Sequence, residues 1–191
     1  MQSNNYVVFN GREYDICDSA VSLQKVIPDF DVILFNKGDA QGTTITKDDL
    51  LSYKAPILIS VTTSLDTPIG KIQTKKFNEM LAPFTDQALL WSVSSDLPFN
   101  INRFFEEENI QTLSGASDYL NNTFGKNFGV MVEEVRLLVR GVFVIDRMGI
   151  LRYSEVPIKI QTELNYDMAI NVLYELINED SYTETEQEEL L

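Results

Sequence analysis

Continuous runs of apolar residues predict the buried strands of this chain. Residues 56–61 (Pro-Ile-Leu-Ile-Ser-Val) and 88–93 (Ala-Leu-Leu-Trp-Ser-Val) have the pattern of strands that are covered on both faces of a sheet. Further strands are predicted at residues 31–35, 110–113, 140–146 and 150–156, and a turn at 147–149 joins the last two. These runs predict a substantial central sheet.

Helices are predicted between these strands. Thr67-Pro68 predicts a helix start, because threonine is a good N-cap and proline suits the first helical position. The apolar face of this helix is expected to comprise Ile69, Ile72, Phe77, Met80 and Leu81. Other helices are predicted after Thr46 and over residues 100–108, 117–124 and, most clearly, 166–177.

The order of these elements predicts an α/β fold, a mixed sheet with helices on both faces. An N-terminal β-hairpin is added by residues 7–9 and 13–17, which flank Asn10-Gly11, a dipeptide that tolerates positive φ. A glycine-bearing turn is expected at residues 37–42. One domain is expected over residues 1–178. Residues 179–191 carry six acidic and no basic residues and are expected to form a solvated, mobile tail.

Composition excludes several functions. The chain of 191 residues has 29 acidic and 15 basic residues and a net charge of −14, which argues against binding to nucleic acid or to an anionic membrane. It has no histidine and one cysteine, Cys17, so we expect no metal site, no cofactor and no disulfide. Cys17 is expected to be half-buried and inert. Without a signal peptide or a membrane-length apolar run, a soluble cytoplasmic protein is expected.

Several motifs occur in the order found in one known family. Residues 64–78 (Ser-Leu-Asp-Thr-Pro-Ile-Gly-Lys-Ile-Gln-Thr-Lys-Lys-Phe-Asn) resemble the active-site segment of bacterial thiol peroxidases, the atypical 2-Cys peroxiredoxins, which reads P-S-x-D-T-x-x-C and then Q-T-R-x-F-N. Residues 28–30, 95–99, 103–104 and 138–146 resemble that family's P-D-F, S-x-D-L-P-F, R-F and L-x-R-x-V-F-V-I-D motifs. The resemblance implies a thioredoxin-like fold with an N-terminal hairpin, and a homodimer.

The resemblance also implies an active site that lacks its reactive groups. Thr67 and Arg140 match the family's threonine and arginine, but Gly70 stands at the peroxidatic cysteine, Phe105 at the resolving cysteine and Thr63 at the shielding proline. Peroxide reduction needs a thiolate, and glycine supplies none. We therefore expect a protein without peroxidase activity that binds or regulates through protein contacts; the sequence names no partner.

Two other functions stay open. A peroxiredoxin-type oxidoreductase with residual activity would have Cys17 as its only nucleophile. A small-anion binder would use the helix N-terminus with Thr67 and Arg140. Thr67 is also expected to act as a plain N-cap, and Arg140 as a surface or carboxylate-paired residue. Phe104 and Phe105 are expected either in a dimer interface or in the core.

Overall fold

The computed structural model describes residues 6–9, 11–35 and 42–188, with side chains described as far as residue 179. Its helices and strands alternate over residues 43–127. In chain order they are β1 Tyr6–Phe9, β2 Arg12–Asp15, β3 Asp31–Phe35, β4 Thr43–Thr46, α1 Lys47–Ser52, β5 Ile57–Val61, α2 Pro68–Met80, β6 Leu89–Ser94, α3 Pro98–Glu107, β7 Ser114–Ser117, α4 Thr123–Asn127, β8 Met131–Val132, β9 Leu137–Leu138, β10 Gly141–Ile145, β11 Leu151–Glu155 and α5 Tyr166–Glu188.

Seven strands form a mixed sheet in the order β11-β10-β5-β6-β7-β3-β4. Strands β5, β6 and β7 run parallel, and their neighbours on both sides pair antiparallel. The apolar runs predicted as buried strands are β5 and β6, which lie next to each other inside the sheet. Every residue of β5 is buried, as expected for a strand covered on both faces.

Each face of the sheet has its own apolar core. One core contains Trp91 and Phe143 of the sheet together with Phe124 of α4. The other contains Phe77 of α2 and Phe104 of α3, with further residues of α5. The predicted mixed sheet with helices on both faces is therefore confirmed.

The predicted N-terminal hairpin is present, and its second strand is shorter than expected. β1 and β2 pair antiparallel, Phe9 lies opposite Arg12, and Gly11 has a φ of 78°. The strand ends at Asp15, and Cys17 instead donates its backbone N–H to Met131 O at 2.9 Å. The turn expected at residues 37–42 lies, apart from Gly42, outside the described residues.

Several predicted boundaries are wrong. The strand expected at residues 110–113 is β7, Ser114–Ser117, and the helix expected at 117–124 is α4, Thr123–Asn127. The shift follows from Asp118, whose buried carboxylate accepts the backbone N–H groups of Phe124 and Gly125 and so fixes the start of α4. Edge strand β4 was not predicted.

The C-terminal helix is longer than its apolar pattern. α5 begins at Tyr166 as predicted but runs on to Glu188, so residues 179–188 continue a helix where a mobile tail was expected. Within the described residues, no helix combines the length and the apolar character that crossing a membrane requires.

Candidate functional site

A short loop joins the end of β5 to the first turn of α2. The family motif lies in this loop and in the start of the helix. Thr67 caps the helix: its hydroxyl oxygen accepts the backbone N–H of Gly70 at 3.0 Å, and Pro68 occupies the first helical position. This N-cap was predicted and is confirmed. The same hydroxyl donates to the backbone carbonyl of Ser64 at 2.8 Å. Thr67 therefore uses both its donor and an acceptor within the chain.

The backbone has closed over Gly70. A Cβ atom at this position would lie 2.1 Å from the carbonyl oxygen of Ser64 and 2.9 Å from the hydroxyl oxygen of Thr67. In weak C–H···O contacts the carbon and oxygen atoms lie about 3.3–3.6 Å apart, so a distance of 2.1 Å is a severe overlap. Gly70 is therefore required by the observed course of residues 64–67, and a side chain at this position would force the Ser64 carbonyl to move.

Asp96 holds this loop against the end of β6. Its carboxylate accepts the Ser64 hydroxyl at 2.7 Å, the Leu65 backbone N–H at 2.7 Å and the Ser94 hydroxyl at 2.9 Å. Thr63 lies in the same loop and is half-buried. The role of Asp96 could not be read from hydropathy, and the only sequence signal for it was its place in the S-x-D-L-P-F motif.

Arg140 lies inside the fold. Its side chain donates from Nε to Gln73 Oε1 at 3.0 Å and from Nη1 to the Ile160 carbonyl at 3.2 Å, and it hydrogen-bonds the Tyr166 side chain. The residue is 5% exposed. The expectation of a surface or carboxylate-paired arginine is therefore wrong, because the hydrogen-bond partners found for Arg140 are neutral groups.

Gln73 joins Arg140 to α2. Its amide nitrogen donates to the Ser60 hydroxyl and to the Val61 carbonyl, both at 2.9 Å. The buried side of α2 consists of Gly70, Gln73, Thr74 and Phe77, while Ile72 is 62% exposed. The predicted apolar face is therefore wrong at Ile72. The buried side of the helix instead includes polar residues, and one of them, Gln73, contacts Ser60 of β5.

Comparison with known proteins identifies the family. Residues 23–154 match the model of the AhpC/TSA family. The chain belongs to this family. "Thiol peroxidase" of Streptococcus pneumoniae (strain ATCC BAA-255 / R6) is 32% identical over 167 residues, which cover 87% of this chain and 93% of the relative. "Thiol peroxidase" of Bacillus subtilis (strain 168) is 30% identical over 172 residues, which cover 90% and 98%.

Solved structures agree with this assignment. A peroxiredoxin-like protein from Aquifex aeolicus superimposes with a TM-score of 0.77 at 30% identity, over 90% of this chain and 97% of that one. The resemblance to bacterial thiol peroxidases and the thioredoxin-like fold are thus confirmed.

Phe105, which the resemblance to thiol peroxidases aligns with a resolving cysteine, is partly buried and packs against the core. A Cβ atom on Gly115 of β7 would lie 3.2 Å from Phe105 Cζ, so the ring packs closely against the backbone of β7. Phe104 is 5% exposed, and the two ring centroids are 6.3 Å apart. Both rings therefore contribute to the core beneath α3.

Helix α3 is also tied to α2 by charged groups. Glu108 is held by Lys71 and Lys75, the latter at 3.0 Å, and Arg103 contacts Asp66 at 3.0 Å. The two lysines and both members of the Arg103–Asp66 pair are about half exposed, so each pair is individually weak. Together they join the segment that leads into α2 and its first half to α3 and the residue that ends it.

Cys17 has the environment of an unreactive thiol. It is half-buried, and its Sγ–H donates to Glu133 Oε1 at 3.3 Å. Burial, and next the hydrogen bond to the Glu133 carboxylate, raise the pKa of the Cys17 thiol to about 11. The half-buried setting was predicted and is confirmed. Across the described residues, no group of three or more histidine, cysteine, aspartate or glutamate side chains is arranged to hold a metal ion.

Proposed function

We propose that this AhpC/TSA family member has lost peroxidase activity and acts as a non-catalytic binding or regulatory protein. The observation that carries the proposal is the closure of the Ser64 carbonyl over Gly70, at 2.1 Å from the place of a Cβ atom. Peroxide reduction forms a sulfur–oxygen bond while the O–O bond breaks and the second oxygen leaves as hydroxide or alkoxide. Position 70 offers neither the sulfur nor, with the observed backbone, the space for a side chain that could carry it.

The experiment is a coupled peroxidase assay on the full chain. With thioredoxin, thioredoxin reductase and NADPH, we expect no consumption of hydrogen peroxide or of an alkyl hydroperoxide above background. Turnover above background would contradict the proposal. A Cys17→Ser variant then separates the causes: activity lost in this variant assigns the chemistry to Cys17, and activity that persists refutes the account of the missing nucleophile.

A peroxiredoxin-type oxidoreductase with residual activity is the second candidate, supported by relatives named thiol peroxidase. In this chain the only thiol available as the nucleophile of such a reaction is that of Cys17. At neutral pH a thiol whose pKa is about 11 is almost wholly protonated, and the thiolate is the nucleophile. The environment of Cys17 therefore favours the non-catalytic function.

A small-anion binder is the third candidate, and the described contacts weigh against it. An anion at the N-terminus of α2 would need the Thr67 hydroxyl and the Arg140 guanidinium as donors. The Thr67 hydroxyl donates to Ser64 O, and Arg140 donates to Gln73 and Ile160. An anion would have to displace these bonds. Titration with phosphate and sulfate, followed by amide chemical shifts, tests this candidate.

The proposal includes assembly into a homodimer. It also includes a location in the cytoplasm, a reducing compartment in which a lone thiol such as Cys17 stays reduced. The start of α3 supports the homodimer, because Leu97 and Phe99 are 45% and 67% exposed and offer adjacent apolar side chains. Sedimentation velocity at micromolar concentration tests the assembly. A single species with the mass of one chain would contradict it.

A further inference from the structure

We propose that an apolar surface beside the turn between β10 and β11 binds residues 180–191 of a second copy of this chain. We call it the turn surface, and it consists of four large side chains, those of Leu23, Val26, Tyr53 and Met148. It lies at the end of the sheet opposite the N-terminus of α2, because Ile145, the last residue of β10, pairs with Ile57, the first residue of β5. The inference therefore goes beyond the proposed loss of activity and does not rest on it.

The side chains of the turn surface come from three segments that contact one another. The backbone N–H of Ile27 donates to the Gly149 carbonyl at 2.8 Å, and Val26 forms an antiparallel bridge with Ile150, so this segment lies along the turn. A Cβ atom on Gly149 would lie 2.8 Å from Leu51, which places the end of α1 against the same turn. All four side chains are more than half exposed. Large apolar side chains gathered in one exposed patch indicate an interaction surface.

The turn surface carries positive charge in a chain whose net charge is −14. Lys25 and Lys54 adjoin its apolar side chains, and both lysines are exposed. Among the described residues neither forms an ion pair, although carboxylates hold several other lysines of the chain. The carboxylate of the turn, Asp146, is occupied by Arg152 at 3.2 Å and by the backbone N–H of Met148. The surface therefore suits a partner that is both acidic and partly apolar.

Residues 180–191 have this composition. They include five acidic residues and no basic one, together with Tyr182, Leu190 and Leu191. The acidic side chains complement the two lysines, and the apolar ones complement the exposed patch between them. The chain thus contains a segment with the chemistry that the turn surface requires.

Helix α5 leads this segment to the same end of the sheet. Tyr166 at its start hydrogen-bonds Arg140, which precedes β10. Farther along the helix, Glu179 Oε2 lies 3.9 Å from Nη1 of Arg152, which follows the turn in β11. The helix therefore runs beside β10 toward the turn. From Glu179 it continues to Glu188, which adds about 14 Å beyond the sheet.

The course of α5 favours a second copy over the same chain as the partner. Leu173 and Leu176 of α5 pack in the core on one face of the sheet, whereas Ile27 and Leu50, beside the turn surface, pack in the core on the other face. To reach its own turn surface the segment would have to bend around the end of the sheet, and α5 is still helical at Glu188. Two copies can instead exchange their segments, and such a reciprocal contact closes at two chains.

Intermolecular paramagnetic relaxation in the full chain tests this docking. An unlabelled Cys17→Ser, Glu186→Cys variant carries a nitroxide at position 186 and is mixed with the ¹⁵N-labelled chain, which carries none. We expect the amide signals of Leu23, Val26 and Met148 to be lost from the labelled copy and to return when ascorbate reduces the nitroxide. Any such loss comes from a second copy, because the nitroxide and the isotope are on different chains.

Charge reversal in the labelled copy identifies the contact. Lys25→Glu with Lys54→Glu should weaken the association at least about fivefold and restore the signals, because two ion pairs become repulsive. Lys126→Glu with Lys159→Glu is the matched control. It changes the net charge equally, and its two exposed lysines lie on α4 and beside β1 and also form no ion pair among the described residues. This control should keep the signal loss.

Loss at the turn surface that the Lys25 and Lys54 changes abolish and the control keeps supports the docking. Absence of the loss in the first mixture overturns it, and so does loss that persists after both reversals. Nitroxide and isotope on the same chain, diluted with unlabelled copies, give the remaining case: loss seen only there would show that the segment covers its own chain, which also overturns the proposal. A dimer formed through the start of α3 alone predicts no loss that depends on Lys25 and Lys54, so the two assemblies are distinguished.

Discussion

Replacement of Gly70 by alanine gives the sharpest test of the closed loop, because two effects predict opposite signs. In a helix, alanine is more favourable than glycine by about 1 kcal/mol. Propensity alone therefore predicts that Gly70→Ala stabilises α2 and the protein. The contact with the Ser64 carbonyl predicts the reverse.

The magnitude follows from the contacts that must move. The new Cβ atom would start 2.1 Å from Ser64 O, so this carbonyl has to retreat by about 1 Å to reach an ordinary contact distance. That movement strains the Thr67 bond, worth about 1 kcal/mol, and the two bonds to Asp96, worth about 1.5–3 kcal/mol each if lost outright. Partial loss, less the gain in propensity, leaves a destabilisation of about 2–3 kcal/mol, within the range for overpacking.

Urea unfolding and thermal melting measure this change. For a domain of this size, a loss of about 2–3 kcal/mol lowers Tm by roughly 5–10 °C. Ile72→Ala is the control on the same helix, because Ile72 is 62% exposed, and it should change stability by less than about 0.5 kcal/mol. In an Asp96→Asn background the penalty of Gly70→Ala should shrink, since the loop is already loosened. An increase in stability for Gly70→Ala would refute the close contact between the Ser64 carbonyl and Gly70.

Three further predictions concern other parts of the chain. Glu133→Gln should speed alkylation of Cys17 by iodoacetamide at pH 8, since removing the carboxylate lowers the thiol's pKa from about 11; an unchanged rate would exclude Glu133 as a cause. Burial raises the pKa of Asp118 to about 7, although its two backbone N–H donors act in the opposite direction. Between about pH 4 and 7 the folded protein therefore binds a proton at Asp118 that the unfolded chain does not bind. Urea unfolding should therefore show stability falling as pH rises through this window, and Asp118→Asn should flatten that fall. Phe105→Ala should destabilise the fold by about 2 kcal/mol and leave the oligomeric state unchanged, since the ring packs on Gly115; dissociation by sedimentation without a lower Tm would place the ring in an interface.

Much of the fold could be predicted because its strongest signals are local. The apolar runs that became β5 and β6 need no partner to be recognised, and Thr67-Pro68 carries its own start signal for α2. Strand β4 was missed because Thr-Thr-Ile-Thr at an exposed edge has little apolar pattern. α5 was predicted too short, since its apolar pattern fades after Ile177 while the helix continues.

The site was harder to predict because its contacts join distant parts of the chain. Ser64 and Asp96 are 32 residues apart and meet because they follow two adjacent parallel strands. Gln73 was assigned to no face, since hydropathy ranks Ile72 above it as a core residue. Burial of Gln73 makes sense only once Arg140 is known to lie within reach of its amide oxygen. A local pattern cannot supply either pairing.

The residues that carry the family resemblance also stabilise this fold. Their presence alone is therefore weak support for a peroxidase activity. Thr67 caps α2, a role worth about 1 kcal/mol by itself. Arg140 is a buried cation that satisfies Gln73 and the Ile160 carbonyl, and its removal would leave both without a donor. Each residue would be needed by this fold even if no peroxide were ever bound. A matching threonine and arginine are therefore expected in active and inactive members alike, and the position that bears on activity is Gly70, where the Ser64 carbonyl occupies the space that a Cβ atom would need.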